Sequence, residues 1–344
     1  MKIKKSIVTK DVGEYVLNEN IIHTHHPKSG DVGIFEIVEI DRHENIQSID
    51  KRSVFLFEGD LIMAAFADRY ATSQFEGYVP PEPLELYDIL GAGGVIGVVR
   101  TKNASLKFRE PTKVRLVGYC CETDGTIINT CFYKQQRSSF RGEVPNNAKV
   151  ILSIGSTMDS GKTTTAAHVA RGLKATGGTV AFIKFTGTAY TKDKDFVFDC
   201  GADAALDFID VGFPSTYMWD KETLLDVYQS LLDLLIPVKP DYIVMEIADG
   251  LFQRETEFLL KDQPFMSTIH NVVFSCGDSL SAIYGVQILQ EMGIYPAIIS
   301  GRFTMSQLLI REVQNHMDMP ILTIEELMTG EYNHHLIRKH ATVE

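Results

Sequence analysis

Cysteine is scarce in this sequence, and none of the few present have the Cys-x-x-Cys spacing typical of zinc sites and redox pairs. Their number is also odd, which argues against a disulfide framework. We therefore expect reduced thiols at Cys120, Cys121, Cys131, Cys200 and Cys276.

Long apolar runs are lacking as well. No stretch approaches the length that spans a membrane, and the basic start Met1–Lys5 is not followed by the apolar segment of a signal peptide. We expect a cytoplasmic protein with no membrane partner. Basic residues are outnumbered, 33 Lys and Arg against 45 Asp and Glu, which gives a net charge of -12. That balance disfavours nonspecific attraction to nucleic acid or anionic lipid.

The first part of the chain, residues 1–145, has the pattern of a β-rich domain. Short strand-like runs alternate with turn signals, and the only helical pattern is a weak one at Leu84–Leu90. We predict a small barrel or sandwich that serves as a recognition module for a partner or substrate. The predicted strands are Gly33–Ile40, Ser53–Phe57, Leu61–Phe66, Val95–Arg100 and Lys113–Cys120.

A glycine run, Gly91–Gly97, lies within this part and resembles a dinucleotide-binding turn. No helix pattern follows it, however, and such a turn needs the positive end of a helix. We interpret the run as a tight strand-to-strand turn.

After a linker at Gly142–Ala148, apolar strands alternate with amphipathic helices. This pattern predicts an α/β domain over residues 146–330, with a mostly parallel sheet covered by helices on both faces. A polar tail, 331–344, follows. The predicted strands are Lys149–Ile154, Thr179–Lys184, Tyr242–Glu246, Asn271–Ser275 and Ala297–Ser300, and the predicted helices are Lys162–Thr176, Lys221–Leu235 and Leu280–Met292.

The strongest motif joins the first of these strands to the first helix. A strand, a glycine-containing turn, Gly-Lys-Thr and a helix in that order are typical of a phosphate-binding loop (P-loop). Lys162 would supply a positive charge and Thr163 a hydroxyl ligand for Mg²⁺. The alternative is an ordinary turn before an amphipathic helix. The predicted nucleotide-binding residues are Gly155, Thr157, Met158, Asp159, Ser160, Gly161, Lys162, Thr163 and Thr164.

Residues 149 to about 325 resemble dethiobiotin synthetase and related P-loop families. Five residues separate Gly155 from Gly161, as in that enzyme's Gly-Thr-x-Thr-x-x-Gly-Lys-Thr loop, although Ser156 and Met158 replace the two early threonines. The turn Glu246–Gly250 is similar to the family's Glu-Gly-Ala-Gly-Gly. Ile183–Gly187 is similar to its Lys-Pro-x-x-Thr-Gly, but is shorter and lacks the proline. The resemblance implies an ATP-using enzyme that forms a homodimer.

Acidic and basic residues near strand ends supply the other candidates. Glu246 ends a strand, where open α/β sheets bind ligands, so we predict a catalytic and Mg²⁺-binding carboxylate; a solvated strand-end acid is the alternative. Lys184 ends another strand and is predicted to stabilise a transferred phosphoryl group. Asp195 is predicted as a further metal ligand, in a loop at Thr188–Asp203 that also holds Asp193. A hydrated mixed-charge loop is the alternative there.

The leading prediction is an Mg²⁺-dependent enzyme that uses ATP, with GTP as the alternative nucleotide, to activate or phosphorylate a small molecule. A second hypothesis is a polynucleotide 5′-hydroxyl kinase, since Met158–Thr163 is similar to that family's loop and Arg100–Arg115 is rich in basic residues. A third is an NTPase switch with a protein partner on the β-rich domain. It resembles the MinD/ParA proteins, although Thr157 stands at the position of their signature lysine.

Overall fold

The computed structural model describes residues 3–132 and 137–338. It divides into two compact units. The first, called the β unit here, comprises Met1–Arg137, Gly187–Thr191 and Phe208–Trp219. The second, the α/β unit, comprises Ser138–Thr186, Lys192–Asp207 and Asp220–Glu344. Two short segments from the later half of the chain therefore belong to the β unit, a division that the sequence pattern does not reveal.

The β unit is built from short strands, most of them buried on at least one face. They are β1 (Lys4–Lys5), β2 (Val16–Asn18), β3 (Val32–Glu39), β4 (Asn45–Gln47), β5 (Ser53–Phe55), β6 (Leu61–Phe66), β7 (Phe75–Tyr78), β8 (Tyr87–Gly91), β9 (Val95–Lys102) and β10 (Lys113–Cys121). The expected helical pattern at Leu84–Leu90 was wrong: most of that stretch is β8, which pairs with β9 and β10.

Strands β6, β3, β10, β8 and β9 pair in a closed ring, because β9 also pairs with β6. Closure leaves these strands without an exposed edge that could pair with a strand of another chain. The inside is filled by Phe35, Phe66 and Tyr87, whose rings meet edge to face with centroids 5.1 to 6.3 Å apart. Such aromatic packing contributes about 0.5–1.5 kcal/mol per pair beyond the burial of area.

The glycine run at Gly91–Gly97 forms the turn between β8 and β9, as predicted. Glycine is also needed here because the 187–191 segment lies close to the turn. A Cβ on Gly93 would collide with the carbonyl oxygen of Ala189, so only glycine lets the 187–191 segment lie against the turn.

The α/β unit alternates strands and helices. Its strands are β11 (Lys149–Gly155), β12 (Val180–Lys184), β13 (Ala204–Asp207), β14 (Tyr242–Glu246), β15 (Ile269–Ser275) and β16 (Ile298–Ser300). Its helices are α1 (Lys162–Ala175), α2 (Lys192–Asp199), α3 (Lys221–Leu234), α4 (Arg254–Leu260), α5 (Gln263–Ser267), α6 (Ser279–Glu291), α7 (Gln307–Gln314), α8 (Ile324–Thr329) and α9 (Asn333–Ile337).

The sheet has the strand order β13-β12-β14-β11-β15-β16, and every pair in it is parallel, which confirms the predicted parallel sheet. Side chains alternate between the two faces. Phe182 and Val244 belong to a core shared with α1. Phe185, just after β12, lies on the other face of the sheet by this alternation. Its ring packs against Tyr228 of α3 and Phe265 of α5, with centroid distances of 5.3 and 5.8 Å. Helices thus cover both faces.

Two local expectations differ from the structure. The expected loop at Thr188–Asp203 contains α2, and a strand, β13, follows it directly. The alternating charges of Lys192–Asp195 hid the helical pattern. The expected polar tail, 331–344, begins with α9; residues 339–344 lie outside the described part of the chain.

None of the helices in the described residues is both long enough and apolar enough to cross a membrane.

A buried hydrogen-bonded pair provides a test of whether the 187–191 segment is held in the β unit. Gln47 Nε2 donates to Thr191 Oγ1 at 2.8 Å, and the Thr191 N–H donates to Gln47 Oε1 at 3.0 Å. We expect Gln47→Ala to lower the free energy of unfolding by about 2 kcal/mol, because it removes two buried hydrogen bonds to Thr191. Amide hydrogen exchange at 188–191 should accelerate.

The control is Gln307→Ala, which removes an exposed side chain at the start of α7 and should change stability by less than about 0.5 kcal/mol. Wild-type exchange rates at 188–191 in Gln47→Ala would show that this pair does not hold the segment in the β unit.

Candidate functional site

The α/β unit contains a cavity of about 440 Å³ at the carboxyl ends of β11, β12 and β14. This is the edge at which open parallel sheets bind ligands. Its volume lies in the range of about 300–1,000 Å³ found for small-molecule sites. The cavity is lined by Met158, Asp159, Gly161, Lys162, Thr163, Thr164, Lys184, Asp193, Glu246, Ala248, Asp249 and Arg302.

The loop between β11 and α1 forms one wall. Asp159 and Gly161 both have positive φ, 61° and 101°, which turns the chain sharply into the helix. Gly155 ends β11, where a Cβ would lie 2.6 Å from Cγ of Lys162, so its absence leaves room for the lysine stem. Of the other predicted loop residues, Thr157 contributes its carbonyl group, and Ser160 is buried behind the cavity.

Lys162 begins α1, and its side chain folds back over the loop. Nζ donates to the carbonyl oxygen of Thr157 at 2.8 Å, and the residue is only 6% exposed. Burial lowers the pKa of Lys162, although the negative charge of Glu246 opposes the shift. An anion beside the group would strongly stabilise a buried ammonium whose direct partner is a neutral carbonyl group.

Thr163, Lys184 and Glu246 form a connected group across the cavity floor. Lys184 and Glu246 are register partners on neighbouring parallel strands. Glu246 Oε1 accepts a hydrogen bond from Thr163 Oγ1 at 3.0 Å and one from Lys184 Nζ at 2.6 Å. The sheet and the start of α1 therefore fix the carboxylate from two directions.

Lys184 is balanced by two carboxylates, since its Nζ also lies 2.7 Å from Asp193 Oδ2. Burial alone would lower the pKa of Lys184, but Glu246 and Asp193 outweigh it and raise that pKa. The Lys184 charge in turn lowers the pKa of Asp193.

Asp193, rather than Asp195, is the aspartate of α2 that lines the cavity in the described part of the chain. Asp195 as a metal ligand stays a prediction. The start of α2 at Lys192 decides which aspartate faces the site, and the sequence pattern did not show that helix.

The second oxygen of Glu246 bears on metal binding. Oε2 is buried and makes no hydrogen bond to any described residue. The described residues contain no group of three or more His, Cys, Asp or Glu side chains that could hold a metal ion alone. Mg²⁺ commonly takes one or two protein oxygens together with substrate phosphates and water. The Thr163 hydroxyl and the Glu246 carboxylate fit that pattern.

Gly301 and Arg302 lie against the loop, and no motif in the sequence points to either residue. The Arg302 N–H donates to the Ser160 carbonyl at 3.1 Å, and Arg302 lines the cavity. Gly301 has a φ of 108°, and a Cβ there would lie 2.6 Å from both Ser160 O and Cys276 N. The turn after β16 therefore supports the loop through a contact that only glycine permits.

No protein-family model matches the sequence, and no curated protein matches it. Among solved structures, the chain is similar to the hydrogenase maturation factor HypB from Archaeoglobus fulgidus, at 11% identity over 52% of this chain and 81% of that one, with a TM-score of 0.34. A nucleotide-binding protein in complex with ADP, also from Archaeoglobus fulgidus, gives 11% identity, 54% and 88% coverage and a TM-score of 0.34. FtsY from Mycoplasma mycoides is 14% identical over 58% of this chain and 69% of that one, with a TM-score of 0.39.

These similarities are too distant to transfer any role to this chain, and the resemblance to dethiobiotin synthetase stays a prediction. Functional inference rests on the geometry of the cavity.

The contact at Gly301 can be tested by mutation. We expect Gly301→Ala to lower the free energy of unfolding by about 2 kcal/mol or more, because the backbone conformation is strained for alanine and the new Cβ meets backbone atoms. Hydrogen exchange in the loop at 156–161 should increase.

Gly277→Ala is the matched control, since no described heavy atom lies within 4 Å of its Cβ position. Equal stability of the two variants, measured by urea unfolding, would contradict the inferred contact.

Proposed function

We propose that the α/β unit binds the Mg²⁺ complex of a nucleoside triphosphate, with ATP as the leading candidate and GTP as the alternative. The observation that carries this proposal is the buried Lys162 ammonium, whose direct partner is a neutral carbonyl group. It lies at the first residue of a 14-residue helix, where the positive end of the helix dipole adds to the attraction for phosphate.

The loop itself supports a triphosphate. Backbone N–H groups at the start of α1 have no partner within the helix and would donate to the β-phosphate. Lys162 would bind the phosphate oxygens, and the exposed Arg302, which also lines the cavity, would add a second positive charge.

Mg²⁺ would be held by Thr163 and, directly or through water, by Glu246, while the phosphates supply further oxygens. Bound there, the ion would neutralise charge on the phosphates. The buried, unpaired Oε2 of Glu246 supports this assignment, because a carboxylate oxygen without a donor costs free energy until a cation or water reaches it.

The reaction that this arrangement favours is attack by a small-molecule acceptor on the terminal phosphate. Glu246 would orient the acceptor or a water molecule. Lys184 would hold Glu246 in place and would stabilise the transferred phosphoryl group only after its contact with Asp193 loosens. We assign recognition of the acceptor to the β unit. We also propose that the protein forms a homodimer.

The basic stretch at Arg100–Arg115 weakens the polynucleotide kinase alternative. Four of its six basic side chains are paired with acids: Lys102 with Glu110, Arg109 with Asp41 and Glu44, Lys113 with Asp88, and Arg115 with Glu36. Binding a phosphate backbone would require breaking these pairs, so the stretch offers little free positive charge.

Lys162→Ala tests the nucleotide site. We expect it to weaken binding of a non-hydrolysable ATP analogue by at least about 100-fold, because it removes the charge-assisted hydrogen bonds to phosphate. Isothermal titration with ATP and GTP analogues, with and without Mg²⁺, measures the change and identifies the preferred base.

The control is Lys174→Ala, which removes the same charge from the far end of α1, where Lys174 pairs with Asp203. It should bind as the wild type does. Undiminished affinity in a folded Lys162→Ala variant would refute the nucleotide site.

Glu246→Gln separates binding from turnover. The amide keeps the shape of the carboxylate but removes the charge that faces the metal, so we expect turnover to fall by about 100-fold and nucleotide affinity to change by less than about threefold. ADP release should be measured with and without the small-molecule fraction of a cell extract as the source of acceptor.

Glu257→Gln removes an exposed carboxylate of α4 and should leave both values unchanged. Parallel losses of affinity and turnover in Glu246→Gln would instead point to a structural role for Glu246.

A further inference from the structure

A second polar cavity, of about 250 Å³, lies within the β unit. Arg42, His43, Arg69 and Gln74 line it, together with the turn at Gly91 and the segment that contains Tyr190. None of these residues takes part in the site of the α/β unit. The cavity is therefore separate from the proposed nucleotide site.

Two guanidinium groups give the cavity a positive character. Arg69 is held in place, because it donates to the Leu90 carbonyl and, at 2.9 Å, to Gln74 Oε1. The Nε of Arg42 is buried and has no hydrogen-bond partner among the described residues. A buried guanidinium donor without an acceptor is costly, and an anion in the cavity would satisfy it.

The acidic groups nearby do not neutralise Arg42. Glu44 is the carboxylate that lines the cavity in the described part of the chain, and its Oε1 accepts from Arg109 Nη2 at 2.9 Å. Arg109 also lies 3.3 Å from Asp41. Arg109 thus engages both acids, and the ion pairs of the described residues include none that involves Arg42.

His43 adds a second kind of group. It is 7% exposed, and its Nδ1 has no hydrogen-bond partner among the described residues. Burial and the positive charges of Arg69 and Arg42 lower the pKa of His43 to about 3, so the ring is neutral near pH 7. Its hydrogen bond with the backbone of Ile89 raises that pKa and is therefore one that the ring donates. We assign this bond to Nε2, because Nδ1 has no hydrogen-bond partner among the described residues, and Nδ1 is then left as an acceptor.

We propose that this cavity binds a small carboxylate or phosphate that also carries a hydroxyl group. Arg42 binds the anionic group in concert with Arg69, and the ligand's hydroxyl donates to Nδ1 of His43. The volume lies below the range of about 300–1,000 Å³ found for drug-sized ligands, which limits the ligand to a few carbon atoms beside its anionic group. The inference rests on the β unit alone and is independent of nucleotide binding.

The test is isothermal titration of the full chain carrying Lys162→Ala, which removes the lysine of the α/β unit as a competing anion site. The probes are succinate, malate and inorganic phosphate, since malate is succinate with one added hydroxyl. We expect malate to bind at least about fivefold more tightly than succinate, because the hydroxyl satisfies Nδ1 of His43. Whether malate or phosphate binds more tightly distinguishes a carboxylate ligand from a phosphate ligand.

Arg42→Gln in the same background should weaken binding of the tighter probe by about tenfold or more, as loss of a charge-assisted hydrogen bond predicts. The matched control is Arg115→Gln, which removes the same charge from an arginine that pairs with Glu36 and does not line the cavity. It should bind as the parent chain does.

Equal binding of malate and succinate, no binding of any probe at millimolar concentration, or full affinity in Arg42→Gln would each overturn the proposal. If Arg42→Gln shows no cooperative melting, a crystal of the parent chain grown with the tightest probe decides. The probe between Arg42 and His43 supports the site, and its absence from the cavity overturns it.

Discussion

The candidate nucleotide site depends on how two buried ammonium groups are balanced. Removing an ion from water costs several kcal/mol, so a buried cation needs charge or strong hydrogen bonding nearby. Lys184 has both, with carboxylate oxygens of Glu246 and Asp193 at 2.6 and 2.7 Å. Among the described residues, Lys162 has only the Thr157 carbonyl as a direct partner. This difference makes the loop lysine, and not the strand lysine, the group that an incoming anion would stabilise.

The alternation of side chains along the sheet produces this arrangement. Val244 and Phe182 point toward α1 and fill the core, and the next side chains on the same face are Glu246 and Lys184. A register shift of one residue would turn Glu246 toward the opposite face, away from the start of α1. The apolar pattern of β12 and β14 therefore fixes the site as well as the core, and the two cannot vary independently.

The features that were predictable from sequence are local ones. A strand, a turn, Gly-Lys-Thr and a helix occur within a few residues of one another, and the lengths of α1, α3 and α6 follow from their apolar periodicity. Arg302 could not be predicted, because β16 reaches the loop only through the order of strands in the sheet. The place of Asp193 in the cavity could not be predicted either, because it depends on a helix, α2, whose charged start shows no apolar face. The membership of Gly187–Thr191 in the β unit is likewise a tertiary property.

Basic residues illustrate why local balance matters more than density. Positive charges cluster at Arg100–Arg115, yet four of the six basic side chains there are paired with acids. Arg42 belongs to no basic run, yet its buried Nε lacks an acceptor among the described residues. The net charge of -12 argues against binding an extended polyanion, where many phosphates act over long distances. It places no such limit on a small anion in a pocket, because the field there is set by groups within a few ångströms, in surroundings of low effective dielectric constant.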